Sequence, residues 1–119
     1  MIRKIIIPQV TPVLTSLIDR MLLEDIPRLG YQLEILDMSY IANKERHDAA
    51  QNSEFLYTGS DGIRVVKVTD EKQLVNYFQN TKASDFWLIP FVNCYETRAL
   101  FSCMRRYKVS YAYINGLYS

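Results

Sequence analysis

The chain has 119 residues, nearly half of them apolar and about a quarter charged, with a formal net charge of +1. This is the composition of one globular domain, long enough to bury roughly two thirds of the surface its unfolded form exposes. Near-neutrality gives no electrostatic pull toward nucleic acid or acidic lipid. The longest apolar runs fall far short of the ~20 residues that a membrane span requires.

An Arg-Lys pair and three isoleucines precede Pro8. That stretch is too short for a signal-peptide core, so Met1 is read as a cytoplasmic start. Residues 4–7 form a continuous apolar run, as expected of a strand buried on both faces of a parallel sheet. Leu14, Leu17, Ile18, Met21 and Leu22 then recur at helical spacing and make one stripe. Thr11 is placed to cap this helix, with Pro12 at its first position. Gly30 suits its end, and Pro27 forces a kink or a restart in the last turn.

Residues 32–36 are the second strand. Two parallel neighbours need a crossover, usually helical. A short helix within residues 41–51 followed by a loop is the preferred reading of residues 40–62. The alternative is a hairpin of residues 55–57 against 63–65, and TGSDG at 58–62 is a turn signal in either case. Residues 63–68 are the third strand. The helix over 69–80 has Thr69 as its cap, Asp70 and Glu71 at its positive start, and Leu74, Val75 and Phe78 facing inward.

Residues 86–89 are the fourth strand. Asn93 followed by Glu96 has the spacing of a capping box and opens a helix over 93–107. Its inward stripe is Ala99, Leu100, Cys103, Met104 and Tyr107. Arg105, Arg106 and Lys108 fall at its end, where positive charge is favourable, and are assigned to that role rather than to a binding patch. Residues 110–114 are the fifth strand.

Strands alternating with helices predict an α/β fold. The reading is a single Rossmann-like three-layer sandwich over 1–119, with a mainly parallel five-stranded sheet of order 3-2-1-4-5. A flavodoxin-like order 2-1-3-4-5 is the alternative. Ligands of such sheets bind beyond the carboxyl ends of the strands, where the order reverses. Here that is between strands one and four, walled by residues 8–12 and 90–96. The candidate ligand-binding residues are therefore Gln9, Thr11, Asn93, Tyr95 and Glu96. Structural roles compete for most of them: Thr11 and Asn93 as caps, Glu96 as the box partner, and Gln9 as an exposed polar residue. Tyr95 has no capping duty.

Neither loop contains glycine, and no dinucleotide fingerprint or P-loop occurs anywhere in the chain. A pyrophosphate at the first helix start is thus disfavoured, although a smaller anion could still be received by its amides. His47, the only histidine, lies in the polar run NKERHD and is expected to be solvated. No serine sits in a nucleophile elbow. The strand ends lack the acidic cluster of a phosphorelay receiver, and Asp37, where a ribose-binding carboxylate would fall, has no glycines beside it.

Cys94 and Cys103 are nine positions apart in one helix, or about 13 Å along its axis, which is too far for a disulfide. With no Cys or His neighbour for zinc, they read as two reduced thiols. No cofactor and no metal are expected. Tyr107, Tyr111, Tyr113 and Tyr118 crowd the C-terminal portion. Alternation puts Tyr111 and Tyr113 on one face and Ala112 and Ile114 on the other. With Tyr118, they form a candidate interface. The sequence stops soon after the fifth strand, where a doubly wound sheet normally carries a covering helix. The expectation is an N-terminal part of a longer protein, partnered by a missing C-terminal domain or by a second copy of the chain. A small complete domain is the alternative.

Three stretches carry a resemblance that spans most of the chain: KIIIPQVTPVLTSLIDRML, VVKVTDEKQLVNYF and SCMRRYKVSYAYING. In layout they resemble the N-terminal Rossmann-like half of bacterial surface-polysaccharide biosynthesis proteins of the two-domain (GT-B) glycosyltransferase kind. The resemblance implies an acceptor-side domain, a carbohydrate acceptor, and a sugar-nucleotide donor held mainly by a C-terminal domain outside this chain. It also implies no complete active site here. PQVTP departs from the glycines that often follow the first strand in that family. The alternative is a stand-alone Rossmann-like binding or interaction module without catalysis.

Overall fold

In the computed structural model, which describes residues 2–21, 23–91 and 97–114, the apolar runs become strands. They are β1 (Lys4–Gln9), β2 (Gln32–Asp37), β3 (Ile63–Lys67), β4 (Asp85–Ile89) and β5 (Tyr111–Tyr113). Their order is β3-β2-β1-β4-β5, and every pairing is parallel. This is the expected Rossmann-like order, and the flavodoxin-like alternative is not formed. The connections carry α1 (Thr15–Arg20), α2 (Asp25–Arg28), α3 (Ser39–Ala42), α4 (Lys44–Ala50), α5 (Glu71–Gln79) and α6 (Arg98–Tyr107).

Successive strand residues face opposite sides of the sheet, and both sides are covered. On one side Ile6, Leu36, Trp87 and Ile89 pack against Leu74 and Phe78 of α5 and Leu100, Phe101 and Met104 of α6. Phe78 stacks on Trp87 with ring centroids 4.5 Å apart and 6° between planes. On the other side Ile7, Leu33, Ile35 and Ile63 meet Leu17 and Ile18 of α1 and Leu23 beyond it. Burial on both faces is the physical reason these strands read as unbroken apolar runs.

The first helix departs from expectation. Thr11 does not cap it: α1 begins at Thr15, with Leu14 in the cap position, extended and making no side-chain cap bond. A long-range pairing displaces the start. Leu14 bridges Leu56 in antiparallel sense, the Thr15 N–H donates to the Phe55 carbonyl at 2.9 Å, and the Tyr57 N–H donates to that of Val13 at 2.9 Å. Residues 55–57 therefore pair with the β1–α1 connection and not with residues 63–65. The short helix expected within residues 41–51 is α4, followed by a loop, and α3 precedes it as an element the sequence reading did not include. Pro27 falls in the first turn of the restarted helix α2, where its missing N–H costs no helical bond.

The cap of α5 is shifted by one residue. Asp70, not Thr69, accepts the Gln73 N–H at 2.7 Å, and the Gln73 side-chain oxygen accepts the Thr69 N–H in return at 2.8 Å. Glutamine three places after the cap makes this reciprocal pair available. The Asn93–Glu96 box lies outside the described residues, and α6 is described from Arg98 to a left-handed Lys108 at φ 50°. His47 is also corrected. It is buried rather than solvated, because it occupies the inward face of α4 with its ring edge-on to Tyr40 at 5.2 Å.

Candidate functional site at the carboxyl edge of the sheet

Reversal of strand order between β1 and β4 opens the sheet at its carboxyl edge, the position where α/β domains take ligands. Gln9 and Asp37 end β1 and β2 side by side in register. Both are buried, Gln9 completely, so the expectation of an exposed Gln9 is overturned. Gln9 shares the parity of Ile7 and is carried inward with it. The Met38 N–H donates to the Gln9 carbonyl at 2.8 Å, and the Val68 N–H to that of Asp37 at 3.0 Å. These bonds extend the ladders to the last residue and make a rigid rim.

The Asp37 carboxylate turns onto the start of α3. One of its oxygens accepts both the Ser39 N–H at 2.9 Å and the Ser39 hydroxyl at 2.6 Å. The group that would hold a ribose is thus engaged in a local turn. Thr11 is half-buried and lines a groove of about 390 Å³ between α1 and α4, together with Arg20 and Arg46. Gln9 and Thr11 therefore face different surroundings. Asn93, Tyr95 and Glu96 lie outside the described residues. What is described of the second wall is Pro90, which is buried, and Phe91, packed edge-on to Phe101 at 6.2 Å.

The start of α1 is where a dinucleotide domain offers backbone amides to phosphate. Here the Thr15 amide is bonded to the Phe55 carbonyl and the Leu17 amide turns back to that of Leu14 at 3.0 Å. Two of the amides at the start of α1 are thus engaged within the chain. The connection of residues 10–14 also holds Pro12 and no glycine, so the backbone freedom for a close pyrophosphate approach is missing.

Tyr111 and Tyr113 are about half exposed on β5. Tyr113 stacks on Phe101 at 6.3 Å, and Tyr111 meets Tyr113 edge-on at 5.8 Å. The pair thus sits on the α6 side of the sheet. Ala112 points the other way and is exposed. Tyr118 lies outside the described residues.

Sequence reasoning missed a polar cluster at the opposite, amino end of the strands. Lys4 Nζ lies 3.7 Å from Glu34 and 3.8 Å from Asp85. The Tyr77 hydroxyl of α5 donates to Glu34, and Asp85 accepts the Lys82 N–H at 3.0 Å. Burial first, and then the Glu34 carboxylate, hold the Tyr77 hydroxyl protonated well above the ordinary tyrosine range. The signal was present as Lys4 and Asp85 at the starts of two apolar strands and Glu34 within a third. The cluster ties α5 to the sheet at the end away from the ligand edge. Elsewhere, the Asp48 carboxyl is held below its ordinary value, chiefly by its hydrogen bond to His47 and further by Lys44.

Burial pushes the Cys103 thiol up, which leaves a poor nucleophile at neutral pH; Cys94 lies outside the described residues. Among the described residues no group of His, Cys, Asp and Glu is arranged to hold a metal ion, and no helix is long and apolar enough to cross a membrane. Fold and rim together define a Rossmann-like α/β domain in which the Thr15 and Leu17 amides at the start of α1 are bonded within the chain. In comparisons with family models, curated proteins and solved structures, nothing matches this chain.

Proposed function

We propose that this chain is the acceptor-side Rossmann-like domain of a glycosyltransferase-like protein that assembles bacterial surface polysaccharide in the cytoplasm. The observation that carries the reading is the Phe55 carbonyl bonded to the Thr15 amide. It joins a nucleotide-type sheet to a corner that takes no nucleotide phosphate. A domain of that kind fits a division of labour in which a second domain holds the sugar-nucleotide donor and this one receives the carbohydrate acceptor. Turnover then requires both halves, and this chain alone is inactive.

The test is a titration of the isotope-labelled chain with UDP-glucose, GDP-mannose and nucleotide-free oligosaccharides, followed by amide chemical shifts and melting temperature. Oligosaccharides are expected to perturb the rim around Gln9 and Thr11, and the nucleotides to leave the Thr15 and Leu17 amides unmoved. A large thermal shift with a nucleotide, accompanied by movement of those two amides, sinks the proposal. Reading the gene beyond Ser119 for a donor-binding domain is an independent check.

A second reading is favoured by a different observation. Tyr111, Ala112 and Tyr113 of the edge strand β5 are all exposed, and tyrosine is enriched at protein interfaces. In this reading the chain is a stand-alone interaction module without catalysis, pairing with a second copy along β5.

A further inference from the structure

We infer that the groove between α1 and α4 binds a small anion carried on a hydroxyl-rich body. Resting on the acceptor-side reading above, this makes the acceptor an acidic sugar. The volume, about 390 Å³, falls in the range of small-molecule sites and suits a single ring. Three kinds of group meet there. Arg46, from the first turn of α4, lines it with an exposed side chain, and Arg20, from the last turn of α1, lies on the opposite wall and already makes another interaction. A guanidinium presents a planar fork of donors that matches a carboxylate or a phosphate.

Thr11, Ser16 and Ser53 line the same groove, and the Ser53 hydroxyl, which accepts the Phe55 N–H at 3.1 Å, keeps its proton to donate. Each can donate and accept, which is what a ring bearing several hydroxyls requires. Leu17 supplies an apolar wall for the C–H face of such a ring. The groove also includes Thr11 from the connection that follows β1, on the carboxyl side of the sheet where this fold takes ligands. The other arginine-rich groove, between α5 and α6, is weaker. It contains Glu71 beside Arg98, Arg105 and Arg106, and the last two complement the end of α6.

The experiment titrates the labelled chain with glucuronate, glucose, glucose-1-phosphate and inorganic phosphate, and repeats each with Arg46→Ala. Arg46 is exposed, and an unchanged amide spectrum away from the groove certifies the variant's fold. Glucuronate is expected to shift the Thr11, Ser16 and Ser53 amides saturably, with binding weakened about tenfold by Arg46→Ala, the loss of one charge-assisted bond. Added salt should weaken it further. The glucose-1-phosphate arm tells whether carboxylate or phosphate is preferred. Equal binding of glucose and glucuronate, or an Arg46→Ala titration identical to the parent, overturns the inference. Neutral oligosaccharides shifting amides of the sheet rim outside the groove, while glucuronate leaves the groove untouched, would reject it and keep the acceptor-side reading. Inorganic phosphate binding in the groove while every sugar fails would reject the acidic-sugar claim.

Discussion

Tyr77 carries the clearest test of a single side chain. Its hydroxyl donates to Glu34, which also lies near Lys4, so truncation to Phe leaves a buried carboxylate short of one donor. A cost of about 1–3 kcal/mol follows. The same contact has a pH signature. The folded chain holds the hydroxyl protonated far above the ordinary value of 10.0, while the unfolded chain ionises near that value. The contribution is therefore complete below pH 10.0 and declines as pH climbs above it. Urea midpoints measured from neutral to strongly alkaline pH should fall at the alkaline end for the parent and fall less steeply for Tyr77→Phe. Parallel curves would exclude Tyr77 as the source. Side-chain placement was only partly legible. Gln9 could have been assigned inward by its parity with Ile7, whereas the inward His47 depends on where α4 begins, and only the folded chain fixes that.

Between elements, a glycine and a proline set the approach of α2 to the turn before β3. Gly62 has φ +80°, and a β-carbon there would lie 2.6 Å from the Pro27 β-carbon. Gly30, at φ +93°, faces open space. Gly30→Ala should cost about 1 kcal/mol, for left-handed backbone alone. Gly62→Ala should cost at least about 1 kcal/mol more, because the contact is with a rigid ring. Urea denaturation of the two variants decides this, and equal losses would show that the Pro27 contact is relaxed at no expense. The strands were legible because double-sided burial writes itself as contiguous apolar residues. The start of α1 was not. Thr11-Pro12 is a sound local signal, but it yields to pairing with residues some forty positions away, which no local pattern encodes.

The sheet as an assembled body has unequal margins. The β3 edge presents the exposed charges Arg64 and Lys67, a usual guard against edge-to-edge pairing. The β5 edge presents Tyr-Ala-Tyr, uncharged and exposed. If the second functional reading holds, sedimentation velocity will show a dimer that grows with concentration, and Ala112→Lys will return it to monomer. A parent chain that stays monomeric at every concentration removes that reading. Right-handed crossovers leave few arrangements for strands joined through helices, so the sequence narrowed the strand order to two, of which the preferred 3-2-1-4-5 is formed.

The bond from Thr15 to Phe55 also bears on redesign. Grafting a glycine-rich loop between β1 and α1 is the obvious route to a cofactor-dependent enzyme on this scaffold, and here it would miscarry. The incoming diphosphate would meet a carbonyl dipole with its negative end forward, already seated on the amide the graft was meant to recruit. The distant strap would have to be rerouted first, and the new loop written second.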